Sequence, residues 1–144
     1  MTDRPDVTIG MINIDSADAA KAGEFWAALT GWEVVASGDG YAMVSGGGHN
    51  LGFGTIPDYR PPAWPNEHGS KQFHLDLACA DMAATEARAV ELGATVVDPQ
   101  PGDTWRVLID PDGHPFRPAD PVCVGQAQDR RRPLPQPHLF HRPQ

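Results

Sequence analysis

The sequence repeats itself after about 63 residues, and this duplication restricts the possible folds more than any single motif does. The offset between matched residues drifts from 62 to 65, with single-residue slips at turns. The matched pairs, in chain order, are Met11 and His74, Asp18 and Asp81, Leu29 and Leu92, Gly31 and Gly93, Tyr41 and Trp105, and Gly48 and Gly113. An ordered series of this kind indicates two copies of one structural unit.

Each copy contains the pattern of one strand, one helix and three further strands. The first copy begins with a strand over Val7–Ile14 and a helix over Ala17–Leu29. In the second copy, FHLDLACA (73–80) alternates in polarity as a strand does, and Asp81 begins a helix that Gly93 ends. The pattern predicts an α+β fold of two βαβββ modules. Because one helix covers only one face of each sheet, we expect a curled mixed sheet around a cleft.

The predicted domain spans residues 7–118. Module one covers 7–56, a Pro-rich connector covers 57–70 and module two covers 71–118. Residues 119–144 are rich in proline and arginine and poor in apolar residues, so they predict a disordered tail.

The first strand of module two has a polar face. Gln72, His74 and Asp76 alternate with Phe73 and the leucines that follow it. The apolar face is expected to cover the helix, so the polar face is expected to line a pocket. His74 in such a pocket is either a hydrogen-bonded residue that lines the cavity or a catalytic group.

Composition argues against several classes of partner. The formal net charge is −8 at pH 7, and an acidic chain has no general attraction for nucleic acid or anionic membranes. The chain contains no run of about 18 apolar residues, so no membrane span is predicted. Cys79 and Cys123 are too few for a disulfide framework, and the amino terminus lacks an apolar signal core. We therefore expect a cytoplasmic protein.

Several motifs bear a family resemblance. The stretches GEFWAALTGWEV, LGFGTIPDYRPPAWP, KQFHLDL and WRVLIDPDGHPF lie within residues 8–118. Together with the paired modules, they resemble the vicinal oxygen chelate superfamily, which includes glyoxalase I, extradiol dioxygenases and bleomycin-resistance proteins. The nearest likeness is to its glyoxalase-like domain branch. The resemblance implies the glyoxalase/bleomycin resistance fold, with a homodimer as the assembly.

The resemblance also implies where a metal would bind. Metal-dependent members place one ligand on the first strand of each module and a carboxylate late in each module. The corresponding residues here are Met11 and His74 on the first strands, Gly52 or Gly54 late in module one, and Arg117 late in module two. His74 alone is a suitable ligand, and a catalytic site of the zinc type uses about three. We therefore expect no metal centre and no cofactor, with His74 as a weak metal candidate.

These observations favour a protein that binds a small aromatic or drug-like molecule in its cleft. Phe53 and Trp64 are expected beside the cleft because strand ends and connectors border it, whereas Trp105 either lines the cleft or packs under a helix. The residues predicted to bind the ligand are His74, Asp76, Phe53, Trp64, Trp105, Arg106 and Asn13.

Two other classes of function remain open. An enzyme of this superfamily would be a metal-dependent or histidine-based lyase, isomerase or dioxygenase, with His74 as the candidate catalytic residue. A non-catalytic interaction module would instead use the arginine-rich tail or a sheet edge to meet a protein partner. Replacing His74 separates the first class from a binding protein, because only an enzyme would lose turnover.

Overall fold

The computed structural model describes residues 4, 6, 9–65, 69 and 72–120. The chain divides into two compact units between Arg60 and Pro61. The elements of the first unit are β1 (Ile12–Ser16), α1 (Ala19–Thr30), β2 (Glu33–Gly38), β3 (Tyr41–Gly46) and β4 (His49–Thr55). Those of the second unit are β5 (Leu75–Ala78), α2 (Met82–Glu91), β6 (Thr95–Val96), β7 (Leu108–Ile109) and β8 (Pro115–Ala119).

The two units have the same sheet topology. The strand order is β1-β4-β3-β2 in the first unit and β5-β8-β7-β6 in the second. In each unit the first strand runs parallel to the last, and the other neighbours are antiparallel. Neither sheet closes on itself, and each contains four strands. The predicted α+β class with duplicated βαβββ order is thereby confirmed, whereas the cleft between modules stays a prediction.

The first helix has a capping residue at each end. Asp18 is extended and its carboxylate accepts the Lys21 N–H at 3.3 Å. Ser16 Oγ accepts the Asp18 N–H at 2.9 Å, so the chain before Asp18 is turned out of the helix. Gly31 closes the other end at φ 79° and donates its N–H to Ala27. The helix is one or two residues offset from the prediction because Asp18 is the cap.

The second helix is capped in the same way but buries less. Asp81 accepts the Ala84 N–H at 3.0 Å, and Gly93 follows Leu92 at φ 115°. Ala89 is its one fully buried residue, whereas α1 buries five. Helix α2 therefore depends more on capping and on polar contacts than α1 does.

The core of each unit lies between its helix and its sheet. Trp26, Val44 and Phe53 are at most 2% exposed in the first unit. Leu108 and Phe116 are at most 1% exposed in the second. Burial of side chains this large supplies most of the favourable free energy of folding in a domain of this size.

Strand β1 lies later in the chain than predicted. It pairs with β4 from Ile12 opposite Leu51 to Ser16 opposite Thr55. Because β4 runs to Thr55, the strand continues past Ile14 to meet it. Residues 7 and 8 of the predicted strand lie outside the described part of the chain.

Strand β5 is shorter than the predicted 73–80. It begins at Leu75, whose partner Phe116 is the second residue of β8. Phe73 lies ahead of the ladder and is 90% exposed, so it does not cover the helix as predicted. The strand begins only where a partner strand satisfies its backbone.

The second unit extends past the predicted boundary at 118. Pro118 and Ala119 belong to β8, and both are buried. Pro118 is tolerated because the strand uses its carbonyl, which accepts the Arg106 N–H at 2.9 Å, and needs no N–H there. Ala119 accepts the Cys79 N–H at 2.9 Å. The predicted tail from residue 121 onward lies outside the described residues.

Within the described residues, no helix has the length and apolar character that crossing a membrane requires.

Candidate functional site

Four side chains meet on the face of the second sheet opposite α2. Parallel pairing places Asp76 of β5 beside Arg117 of β8, so both side chains point from the same face. His74 lies two residues before Asp76. Trp105 forms an antiparallel bridge with Ala119, the last residue of β8. We refer to His74, Asp76, Trp105 and Arg117 as the Asp76 cluster.

Asp76 receives polar contacts from both of its neighbours. Arg117 donates two parallel hydrogen bonds, from Nε to Oδ1 at 2.9 Å and from Nη2 to Oδ2 at 2.8 Å. His74 Nδ1 lies 2.9 Å from the same Oδ1 and donates to it. Such a forked guanidinium–carboxylate pair fixes orientation as well as charge. The three side chains are each about 30% exposed, so the pair is only partly screened by water.

These contacts keep Asp76 ionised. The hydrogen bonds and charge of Arg117 are the largest influence and lower the pKa of Asp76, and His74 acts in the same direction. Partial burial opposes them by favouring the neutral acid, but the net direction is downward. At neutral pH the pair is therefore a guanidinium and a carboxylate.

Trp105 forms the aromatic side of the cluster. The Arg117 guanidinium carbon lies over its ring, 5.5 Å from the centroid, at cation–π distance. The ring also packs on Gly102, where an added Cβ would lie 2.5 Å from a ring atom. The first unit repeats this contact, with the Tyr41 ring against Gly38. The predicted equivalence of Tyr41 and Trp105 is thus reproduced in their packing.

On the corresponding face of the first unit, an asparagine and a glycine stand where the second unit has its charged pair. Asn13 pairs with Gly52 as Asp76 pairs with Arg117, so Gly52 rather than Gly54 is the counterpart of Arg117. The space above Gly52 is taken by Met11, whose Sδ would lie 2.8 Å from an added Cβ. Asn13 is exposed, and its binding role stays a prediction.

The residues present do not fit the divalent metal that the superfamily implies. Both carboxylate oxygens of Asp76 are held by Arg117, and His74 donates to one of them. Met11 offers only a thioether, a poor ligand for hard divalent ions, and Gly52 offers no side chain. In the described part of the chain, no group of three His, Cys, Asp or Glu side chains is arranged to hold an ion.

Two predicted binding residues face the helices instead. Phe53 is 2% exposed in the core beneath α1, because Phe53 and Leu51 share the helix face of β4. Arg106 follows Trp105 directly and points the opposite way, where its Nε lies 2.7 Å from Glu86 on α2. Adjacent residues of an extended chain face opposite sides, so Trp105 and Arg106 cannot both line one face.

Trp64 and His114 lie outside the Asp76 cluster. Trp64 is 36% exposed in the segment before β5, in a cis peptide with Pro65. The side chain of His114, in the turn before β8, is 22% exposed and its Nδ1 lies 3.4 Å from Asp110 Oδ2. Asp110 is buried and accepts backbone N–H groups from Asp112 and His114 at 2.9 and 2.8 Å. This pair shapes the turn before β8.

Arg117 is the site residue whose role the sequence reading missed. The sequence identifies it only as a positive charge where a carboxylate was expected. Its pairing with Asp76 crosses 41 positions of the chain. The repeat contained a usable signal, because parallel pairing of the first and last strand of a module places these two positions side by side.

The fold and comparisons with known proteins agree. Two open sheets of identical topology, each with one helix, define the fold of the glyoxalase and bleomycin resistance proteins. A family profile described as the glyoxalase-like domain matches residues 11–118. The chain therefore belongs to the glyoxalase-like domain family, within the vicinal oxygen chelate superfamily. No curated protein matches the sequence.

Solved structures share the fold at low identity. A glyoxalase/bleomycin resistance protein/dioxygenase family enzyme from Burkholderia phytofirmans is 18% identical, with TM-score 0.59, over 77% of this chain and 96% of its own. A possible glyoxalase from Bacillus cereus is 19% identical, with TM-score 0.60, over 79% and 99%. A bleomycin resistance determinant encoded on transposon Tn5 is 20% identical, with TM-score 0.51, over 79% and 98%. At these identities the likeness establishes the fold alone.

Proposed function

We propose that this glyoxalase-like domain protein binds a small planar aromatic molecule on the face of its second sheet opposite α2, without a metal centre. The Asp76 cluster is the observation that carries the proposal. It combines an aromatic ring, a planar guanidinium and two polar groups on one face of the sheet. Small-molecule sites typically pair apolar or aromatic surface with a few oriented polar groups.

The arrangement divides the binding task between two kinds of contact. The Trp105 ring and the Arg117 guanidinium form a layer against which a flat ligand packs. Asp76 holds Arg117 in place through two hydrogen bonds, which lowers the conformational entropy lost on binding. His74 stands at the edge of this layer and orients polar atoms of the ligand.

The test is a binding screen with chelator present throughout. Metal-free bleomycin and simple naphthalene-based fluorophores are titrated into the full chain by calorimetry and tryptophan fluorescence. A compound that binds wild type is then titrated into Trp105→Ala and Arg117→Gln. We expect each variant to weaken binding at least tenfold, because each removes half of the packing layer.

Arg106→Gln is the matched control. It makes the same change in a neighbouring arginine that pairs with Glu86 on the helix face. Affinity should therefore stay within about twofold of wild type. The proposal is wrong if no compound binds, or if Arg106→Gln weakens binding as much as Arg117→Gln does.

A second candidate function rests on the geometry of His74. Nδ1 donates to Asp76 at 2.9 Å, which leaves Nε2 as the ring nitrogen that can accept a proton. A histidine oriented in this way by a carboxylate is suited to general-base catalysis. The compound found in the screen is incubated with wild type and with His74→Ala, and the mixture is analysed by mass spectrometry. A product formed only by wild type supports an enzyme, and an unchanged compound supports a binding protein.

A further inference from the structure

The two sheets lack a metal site for different physical reasons. In the first unit the donors are missing, because Met11 and Gly52 stand at two of the implied positions. In the second unit His74 and Asp76 are both suitable donors, and they lie 2.9 Å apart. The second unit lacks the carboxylate that the superfamily implies late in the module. Arg117 stands there instead and pairs with Asp76 in register.

We propose that Arg117 determines the metal specificity of the Asp76 cluster: its guanidinium takes the place of a divalent cation as the positive partner of Asp76 and excludes such ions. The proposal rests on the metal-free character of the proposed function. It goes further by naming Arg117 as the cause of metal exclusion, with its guanidinium as the cation of the site.

The geometry supports exclusion by occupation. Both carboxylate oxygens of Asp76 accept hydrogen bonds from Arg117, at 2.9 and 2.8 Å. An ion that binds Asp76 must displace two charge-assisted hydrogen bonds and then share the site with the displaced positive charge. Trp105 further holds the guanidinium in place, because its ring lies 5.5 Å from the guanidinium carbon.

The chemistry of arginine makes this exclusion permanent. A guanidinium remains protonated throughout the pH range in which proteins fold, whereas a lysine or histidine at this position would titrate. Exclusion should therefore persist at alkaline pH, where most metal sites bind more tightly because their ligands lose protons.

The proposal predicts that one substitution creates a metal site. In Arg117→Glu the new carboxylate would stand beside Asp76 in the parallel ladder, with His74 on the same face. The resulting His, Asp and Glu set supplies three donors, the number typical of open divalent sites. Arg117→Gln removes the cation but leaves only two ionisable donors.

The experiment titrates Zn²⁺, Mn²⁺ and Ni²⁺ separately into chelator-stripped full-length protein, by calorimetry at pH 7 and pH 8.5 without any organic ligand. We expect Arg117→Glu to bind at least one ion tenfold or more tightly than Arg117→Gln. Adding His74→Ala to Arg117→Glu should return the affinity to that of Arg117→Gln. Wild type should show no His74-dependent binding at either pH.

Two results would overturn the proposal. One is ion binding by wild type that matches Arg117→Glu and disappears in His74→Ala. The other is equal ion affinity in Arg117→Glu and Arg117→Gln. Circular dichroism checks folding, and if Arg117→Glu does not fold, Arg117→His supplies a third donor without a second negative charge and carries the same expectation. Because the aromatic screen contains chelator and this titration contains no organic ligand, failure of one is distinguishable from failure of the other.

Discussion

Asp76 and Arg117 illustrate how one residue contact changes the interpretation of a site. The sequence indicates a polar strand face with a histidine and a carboxylate, which on its own is compatible with metal binding. The bidentate contact to Arg117 uses both carboxylate oxygens and lowers the pKa of Asp76. At the scale of single residues, the face therefore presents a guanidinium–carboxylate ion pair beside an aromatic ring.

The first prediction concerns the titration of Asp76. Arg117→Gln should raise the pKa of Asp76 towards its ordinary value, because Arg117 is the largest cause of its depression. A carbon-detected NMR titration of the side-chain carboxyl measures this directly. An unchanged Asp76 titration in Arg117→Gln would show that another group holds the pKa down.

The same depressed pKa predicts how stability depends on pH. A carboxyl whose pKa is lower in the folded than in the unfolded chain stabilises the fold above its unfolded pKa of about 3.9. That contribution is lost as pH falls through the lower folded pKa. The difference in unfolding free energy between wild type and Asp76→Asn should therefore shrink as the pH is lowered from 7 to about 3. Urea titrations at several pH values measure it, and a constant difference would contradict the assignment.

The third prediction concerns Gly113, in the turn before β8. Its φ is +92° and an added Cβ would overlap with Pro61 Cβ. Gly48 has a similar φ of +82° but nothing within 4 Å of an added Cβ, so it is the matched control. Gly48→Ala should cost about 1 kcal/mol from backbone strain, and Gly113→Ala roughly 1–3 kcal/mol more from crowding. If urea titrations give equal losses of unfolding free energy for Gly48→Ala and Gly113→Ala, Pro61 moves aside without cost.

At the scale of elements, the two helices have similar ends but are held differently. Both begin at an aspartate whose carboxylate accepts an N–H of the first turn. Helix α1 also buries Phe25 and Trp26, whereas α2 fully buries only Ala89 and is linked to the sheet by Glu86 and Arg106. Local sequence signals predict the helix ends, but the depth of burial depends on the sheet that each helix covers.

The fourth prediction therefore concerns the Asp81 cap. Asp81→Ala should reduce the free energy of unfolding by about 1 kcal/mol, because it leaves the Ala84 N–H without its acceptor. Asp81→Asn keeps an acceptor oxygen and should cost only a few tenths of that amount. Hydrogen exchange at the first turn of α2 provides a local measurement. If the first turn of α2 exchanges as fast in Asp81→Asn as in Asp81→Ala, the side chain of residue 81 does not act as a cap.

At the scale of the whole chain, the repeat accounts for most of what is symmetric. Both units have the same strand order, the same capped helix and an aromatic ring packed on a glycine. The sheet faces opposite the two helices differ, because Asn13 and Gly52 in one unit correspond to Asp76 and Arg117 in the other. A duplicated scaffold with one specialised face is consistent with the binding function proposed above.

The fifth prediction tests where the folded chain ends. Ala119 is fully buried, accepts the Cys79 N–H and bridges to Trp105, and the Asp120 N–H donates to Thr104. A chain ending after Asp120 should keep the melting temperature of the full chain within a degree or two. A chain ending after Pro118 loses these backbone contacts and should melt several degrees lower, since each kcal/mol shifts a domain of this size by roughly 3–6 °C. Equal melting of the two truncations would return the boundary to residue 118.

The sequence by itself determined the duplicated βαβββ order, the cap of the second helix at Asp81 and the alternating polarity of β5. These follow from repeats, alternation and capping, which act over a few residues or recur at a fixed offset. Only the tertiary structure decided that Arg117 holds Asp76, that Arg106 turns to α2 and that Phe53 lies in the core. Those outcomes depend on which strands pair and in which register, and pairing joins residues tens of positions apart whose relation no local pattern records.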